Sequence, residues 1–246
     1  MRTLFVAAVL ALSSLTAAPS FGQTSANASV ERPSEAEALA FVQAWSPSDL
    51  RRAADLSILR KSFIPGLKKN PDAAKMLEAF PALGPAMIDA MTSQIDVFIA
   101  EHDARFFPRA AAIVRSGMSR SDALTLTTFY RSELGRKTLT MSGENADGDE
   151  VIERALAKKP IDIGVTQRQV MRAGLRTFVG LTEAERSEIA ATFDTPAGRN
   201  FRKLMPALQK LQTEIAVDPG PKFKEGTEKA MAAAFERVTG ARVNKN

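Results

Sequence analysis

The chain repeats itself, and that repetition limits its fold more than any other feature. Met118–Leu139 (MSRSDALTLTTFYRSELGRKTL) and Leu181–Arg202 (LTEAERSEIAATFDTPAGRNFR) align without a gap, each residue matching its counterpart 63 positions on. Met118 falls on Leu181, Ser119 on Thr182, Asp122 on Glu185 and Leu126 on Ile189; Tyr130 falls on Phe193, Ser132 on Thr195, Gly135 on Gly198 and Arg136 on Arg199. Self-similarity at a fixed offset marks a duplicated structural unit. Each copy predicts a helix, a sharp break and a second helix. Ser119 or Thr182 stands as an N-cap with an acid three residues later, the spacing of a capping box. Ser132 or Thr195 caps the second helix, where a hydroxyl accepts a bond from an otherwise orphaned N–H. Pro196 takes the first helical position, where its missing donor is harmless. Gly135 and Gly198 both stand at the third. Glycine there forgoes ~1 kcal/mol of helix propensity relative to alanine, so its recurrence predicts a close approach, in the first instance by a neighbouring helix. A sharper reading is a ligand. Two helix N-termini, each with a glycine and an arginine in the first turn, make a candidate anion site from Ser132, Gly135, Arg136, Thr195, Gly198 and Arg199.

Phe129, Tyr130, Ser132, Gly135, Arg136 and Lys137 carry a further likeness. They resemble the signature of an exported bacterial family, domain-of-unknown-function family twenty fifty-nine, which pairs Phe-Tyr-x-Ser with a following Gly-x-Lys. The first copy fits this pattern closely and the second more loosely. Glu133 stands where that family commonly has proline, and Phe193-Asp194 replaces the aromatic pair. The resemblance implies an all-helical envelope protein and brings no catalytic residues with it.

The start of the chain agrees with export. Met1-Arg2-Thr3 precedes an apolar run from Leu4 to Leu15, the length of a signal-peptide core and too short to span a bilayer. Cleavage after Gly22 gives a signal peptide over 1–22, a polar leader over 23–33, a helical domain over 34–239 and a frayed tail over 240–246. There is no cysteine, hence no lipid anchor on cysteine and no disulfide framework. The location expected is the periplasm, without a transmembrane anchor. A formal charge of +5 is spread among 28 acidic residues, which argues against nucleic acid as a partner.

Proline, glycine and capping residues divide the rest into helices. The predicted segments are 34–45, 48–63 up to a turn at Pro65-Gly66, 70–80, and one long amphipathic helix over 86–107 that Pro108 ends or kinks. Beyond the first copy come a loop over 142–149, a helix over 150–158 and a connector over 160–164 with room for a short strand. A helix over 166–179 leads into the second copy. The second copy's last helix runs to about residue 215, Asp218 to Pro221 break it, and a final helix covers 222–238. No alternating β-branched run is long enough for a sheet. The fold expected is an all-α helical bundle built around two related helix-break-helix hairpins.

Chemistry-bearing residues are few. His102 is the single histidine, and between Glu101 and Asp103 it reads as a surface residue. One histidine and no cysteine leave zinc and most transition metals without ligands, and no metal or cofactor is expected. Glu144, Asp147, Asp149 and Glu150 form an acidic loop that lacks the glycine and glutamate positions of a calcium-binding EF-hand. The methionines read as adaptable core packing, with an apolar groove between the repeats as the alternative. Two functions follow: a non-catalytic module that binds another envelope protein, or a carrier that encloses a lipid-like or small anionic ligand. A hydrolase ranks third, for want of a nucleophile in a suitable setting.

Overall fold

A computed structural model of the chain describes residues 31–146, 148–156 and 163–241. The expected signal peptide and most of the leader, much of the connector and the end of the tail lie outside the described residues. Among the described residues there are twelve helices and no strand. They are α1 (Glu35–Trp45), α2 (Ser48–Lys68), α3 (Pro71–Ala79), α4 (Leu83–Thr92), α5 (Ile95–Gly117) and α6 (Arg120–Arg131), then α7 (Glu133–Asn145), α8 (Asp149–Leu156), α9 (Ile163–Gly180), α10 (Glu183–Phe193), α11 (Pro196–Val217) and α12 (Pro221–Thr239). None is long and apolar enough to cross a membrane. The chain is an all-α bundle with two helix-break-helix hairpins, α6–α7 and α10–α11.

Three boundaries differ from expectation: the end of α2, a break at Ser93-Gln94 and the start of α9. Pro65 does not end α2, which runs on so that Leu67 enters a core. The helix expected over 86–107 breaks at Ser93-Gln94, and α5 then passes through Pro108 without stopping. Pro206 likewise lies inside α11. A proline removes one ladder bond and costs ~3 kcal/mol in a helix interior, which burial of the turns on either side offsets here. Ile163 and Gly164, allotted to a short strand, belong to the first turn of α9.

The duplication reaches further than the aligned segments. Gly117 and Gly180 are also 63 residues apart, as are Met141 and Leu204. A Cβ on Gly117 would sit 2.2 Å from Leu204 Cδ2, and one on Gly180 would sit 2.7 Å from Met141 Cε. Each glycine of one copy therefore receives the counterpart side chain of the other. The polar contacts follow the same rule. Lys137 Nζ meets Glu185 Oε1 at 2.5 Å, while Asn200, the counterpart of Lys137, donates to Asp122, the counterpart of Glu185, at 2.9 Å. α5 packs on α11 as α9 packs on α7. Reciprocal contacts of this kind define an isologous interface. The three-helix units α5–α6–α7 and α9–α10–α11 are thus joined across an internal pseudo-two-fold axis.

Near that axis the corners of both copies meet in an aromatic cluster. Phe129 stands edge-on to Phe193 at 5.6 Å, and Tyr130 faces its own counterpart Phe193 at 6.4 Å. Phe201, fully buried, touches Phe41, Trp45 and Tyr130. Such pairs add ~0.5–1.5 kcal/mol each to what burial already contributes. α1 covers this core against α5 and α6. A second core joins α2, α4, α5 and α12 through Phe63, Met91, Ile95, Phe98 and Phe223. α5 serves both, with Phe106 to Val114 in the first and Ile95 to Ile99 in the second.

The Tyr130 hydroxyl is buried without a hydrogen-bond partner, and burial pushes the phenol far above its ordinary pKa. The second copy has phenylalanine at the equivalent position. Tyr130→Phe is therefore expected to raise stability by about 1 kcal/mol, since an unsatisfied buried hydroxyl costs ~1–3 kcal/mol. Thermal unfolding checks this; a lowered midpoint would show that the hydroxyl is satisfied in solution.

Candidate functional site

Three places combine chemistry with geometry: the two repeat corners, a buried charge cluster between α2 and α5, and the outer face of α9.

At the first corner Ser132 ends α6 and caps α7 with one oxygen. Its Oγ donates to the Phe129 carbonyl at 2.7 Å and accepts from Gly135 N at 3.1 Å. Thr195 does the same, donating to Thr192 O at 2.6 Å and accepting from Gly198 N at 3.2 Å. The sequence predicts a neighbouring helix against these glycines; the structure instead places the turn's own backbone there. A Cβ on Gly135 would lie 2.0 Å from Phe129 O, and one on Gly198 would lie 2.4 Å from both Phe193 Cα and Phe193 O. A chain that reverses direction in one residue brings its own backbone over the first turn of the next helix. Arg136 pairs with Asp49 at 2.9 Å, and Arg199 donates to the Asp194 carbonyl. The candidate anion site thus consists of two separately capped corners. At each corner the amide of the glycine is taken by the capping hydroxyl and the guanidinium by a protein oxygen.

The buried cluster was not expected. His102 is 6% exposed, not a surface residue. It lies on the apolar stripe of α5, one turn from Phe98 and one from Phe106, and stacks near both. Its flanking acids are engaged elsewhere. Glu101 accepts from Lys222 N and Phe223 N at the start of α12, and Asp103 pairs with Arg51 and accepts from Ser48 Oγ at 2.5 Å. Arg51 Nη1 contacts His102 Nδ1 at 2.5 Å, and the imidazole also lies 3.3 Å from Asp103 Oδ1. A guanidinium can only donate, so Nδ1 is the acceptor and the imidazole proton sits on Nε2. Burial, aided by Arg51, holds His102 below the usual histidine range against the opposing pull of Asp103. Serine, aspartate and histidine are all present, but in an order that does not activate a nucleophile. The serine proton goes to the carboxylate, whereas a catalytic serine must be bonded to the imidazole.

Asp55, one turn beyond Arg51 on α2, is also buried. Burial pushes its carboxyl up to about 7, with Arg51 pulling in the other direction. In the acidic loop, Glu150 is paired with Arg168 and Arg154, Glu144 offers its backbone carbonyl to Lys61, and Asp147 lies outside the described residues.

The third place is a surface. Val170, Ala173 and Thr177 face the interior from α9, while Met171, Leu175 and Val179, at four-residue spacing, are 59%, 65% and 71% exposed. A helix with large apolar side chains on both sides is ordinarily covered on both sides. The pseudo-symmetry supplies an internal control. The equivalent positions on α5 are Pro108, Ala112 and Ser116, all exposed and none a large aliphatic. The fold does not require apolar residues there. Of the methionines, Met91, Met118, Met205 and Met231 are buried in the cores, and Met171 is the most exposed of those described as such.

Comparison with family models, curated proteins and solved structures returned no match.

Gly135→Ala and Gly198→Ala should each destabilise the protein by about 2 kcal/mol, because the backbone under the new methyl cannot yield as a side chain would. Unchanged midpoints in chemical denaturation would show that the corner opens freely. The buried carboxyl gives a pH-dependent expectation. An acid whose folded pKa lies above its unfolded value, 3.8 for Asp55, stabilises fully at low pH and loses that contribution as pH rises through the folded value. Asp55→Asn should therefore be the more stable protein above pH ~7, by about 1 kcal/mol or more, and lose that advantage toward pH ~4. A constant difference between the two proteins across that range would contradict the assignment.

Proposed function

We propose that this chain is an exported, non-catalytic helical module of the bacterial envelope that binds another protein through the outer face of α9. The observation that carries this reading is the row Met171, Leu175 and Val179, exposed on a helix whose other side is already buried. Burying an aliphatic side chain contributes ~1.5–3 kcal/mol relative to leaving it in water, so a partner that covers the row gains affinity from each. The signal-like start and the Phe-Tyr-x-Ser, Gly-x-Lys resemblance support export and a periplasmic location. The bonding order of Ser48, Asp103 and His102 supports a non-catalytic reading. The alternative, a carrier of a lipid-like or small anionic ligand, draws less support, because the corners it would use are filled by the chain's own groups.

A photo-reactive phenylalanine analogue placed at Leu175 should cross-link to another protein when the chain is expressed in the periplasm and irradiated. The same analogue at Ala112, the counterpart on α5, should not. Equal adducts at both positions, or none at either, would remove the assignment of α9 as the binding face.

A further inference from the structure

The charged row beside the apolar one carries the reading further. Arg168, Arg172 and Arg176 are all exposed, at four-residue spacing on α9 directly alongside Met171 and Leu175. Two of them have counterparts on α5: Arg105 matches Arg168 and Arg109 matches Arg172. The α5 arginines show what such a row accepts. Arg109 pairs with Glu214 at 2.7 Å and Arg105 with Asp218 at 3.6 Å. Those two acids are four residues apart, on the last turn of α11 and its C-cap. Within the molecule, then, this arginine pattern is met by a helix that carries carboxylates at one-turn spacing.

On α9 the internal answer is incomplete. The positions equivalent to Glu214 and Asp218 are Val151 and Ala155, which carry no charge. Arg168 is met instead by Glu150, and Arg176 donates to the Asn145 carbonyl. Arg172, the counterpart of the paired Arg109, has no ion-pair partner among the described residues, and Glu150 feels it only at longer range. The same helix face that carries the large apolar residues thus also leaves Arg172 without the carboxylate that its counterpart Arg109 has. Both differences, measured against α5, point to the same kind of occupant.

We infer that the partner of α9 is an acidic amphipathic helix of another envelope protein, with aliphatic residues over Met171, Leu175 and Val179 and, on the adjoining row, a carboxylate that meets Arg172. This rests on the interaction reading above. Amphipathic helices dock by laying an i, i+4 apolar row along a complementary surface, and opposed charge rows fix register and exclude wrong partners.

The test uses the mature chain and three probes. One is a helical peptide with leucines at one-turn spacing and glutamates at the same spacing on the adjoining row. The second is the same peptide with lysine in place of glutamate, and the third is vesicles of phosphatidylglycerol, with phosphatidylcholine as control. The glutamate peptide is expected to bind about tenfold or more tightly than the lysine peptide, as close charge pairs allow. Arg172→Glu should reverse that preference, and Leu175→Asp should abolish binding of both peptides. Both variants are at exposed positions and should keep the parent thermal midpoint. Equal binding of the two peptides, no binding of the glutamate peptide, or an unaltered preference in Arg172→Glu would overturn the proposal. So would association with phosphatidylglycerol vesicles that the glutamate peptide cannot displace, which would assign the row to a membrane surface. Cross-linking at Leu175 without glutamate selectivity would sink this proposal alone, whereas no cross-link at Leu175 would sink the interaction reading beneath it.

Discussion

The contact on which the rest of the molecule depends is a glycine in one repeat receiving a side chain from the other, made twice in opposite senses. Gly117 takes Leu204 and Gly180 takes Met141. Both glycines sit at the end of the first helix of their unit, where the chain turns into the hairpin. A methyl group at either place would crowd the incoming side chain, so that Leu204 or Met141 would have to move its end and give up part of its fit. Interiors are packed as densely as organic crystals, so a displacement here would be felt at Phe193, Phe201 and Tyr130. The Lys137–Glu185 and Asn200–Asp122 pairs then complete the register at the rim. Lys137 holds the Glu185 carboxyl down to about 2, but that ion pair is partly exposed and contributes little energy, whereas Asp122 in the other pair is buried.

The buried charges serve a different end. Arg51 reaches from α2 to His102 and Asp103 on α5, between the two cores that α5 shares. Removing one partner from such a cluster is costly because the others are left buried and unpaired. The neutral imidazole is part of that arrangement: its Nδ1 is an acceptor and meets a donor that never gives up its proton. Neighbouring Glu101 ties the same turn of α5 to α12, and Gly220, at φ 101°, gives its carboxylate room. One turn of α5 thereby anchors both α2 and α12.

Much of this was legible in the sequence. The hairpins, their serine and threonine caps and the capping box at Thr182 followed from side chains that act on their immediate neighbours, so local spacing described them well. Gly117 and Gly180 were less visible, because the alignment was drawn where similarity in side chains began and a shared glycine adds little to it. His102 reads as a surface residue because acids flank it in the sequence, yet Glu101 and Asp103 point to partners on other helices. Its phase, four residues from Phe98 and four from Phe106, sets it on the apolar stripe. Arg51 could not be foreseen as its partner, since nothing in spacing relates residues that meet only when α2 packs on α5. The glycines of the corners were assigned to the wrong neighbour for the opposite reason: the crowding was local, from the turn's own backbone. The break at Ser93-Gln94 and the passage of α2 through Pro65 were decided by which turns are buried, and only packing reveals that.

The internal two-fold has one more consequence. An assembly of two identical subunits must display every surface twice, so a sticky face would appear at both ends and invite chains of molecules to grow. A single polypeptide carrying both halves in tandem is free of that obligation. Here α5 keeps Pro108, Ala112 and Ser116 toward solvent while α9 shows Met171, Leu175 and Val179. The architecture is therefore symmetric while the surface is not: a partner seated on α9, as proposed above, would find no matching apolar row on α5 from which a polymer could grow.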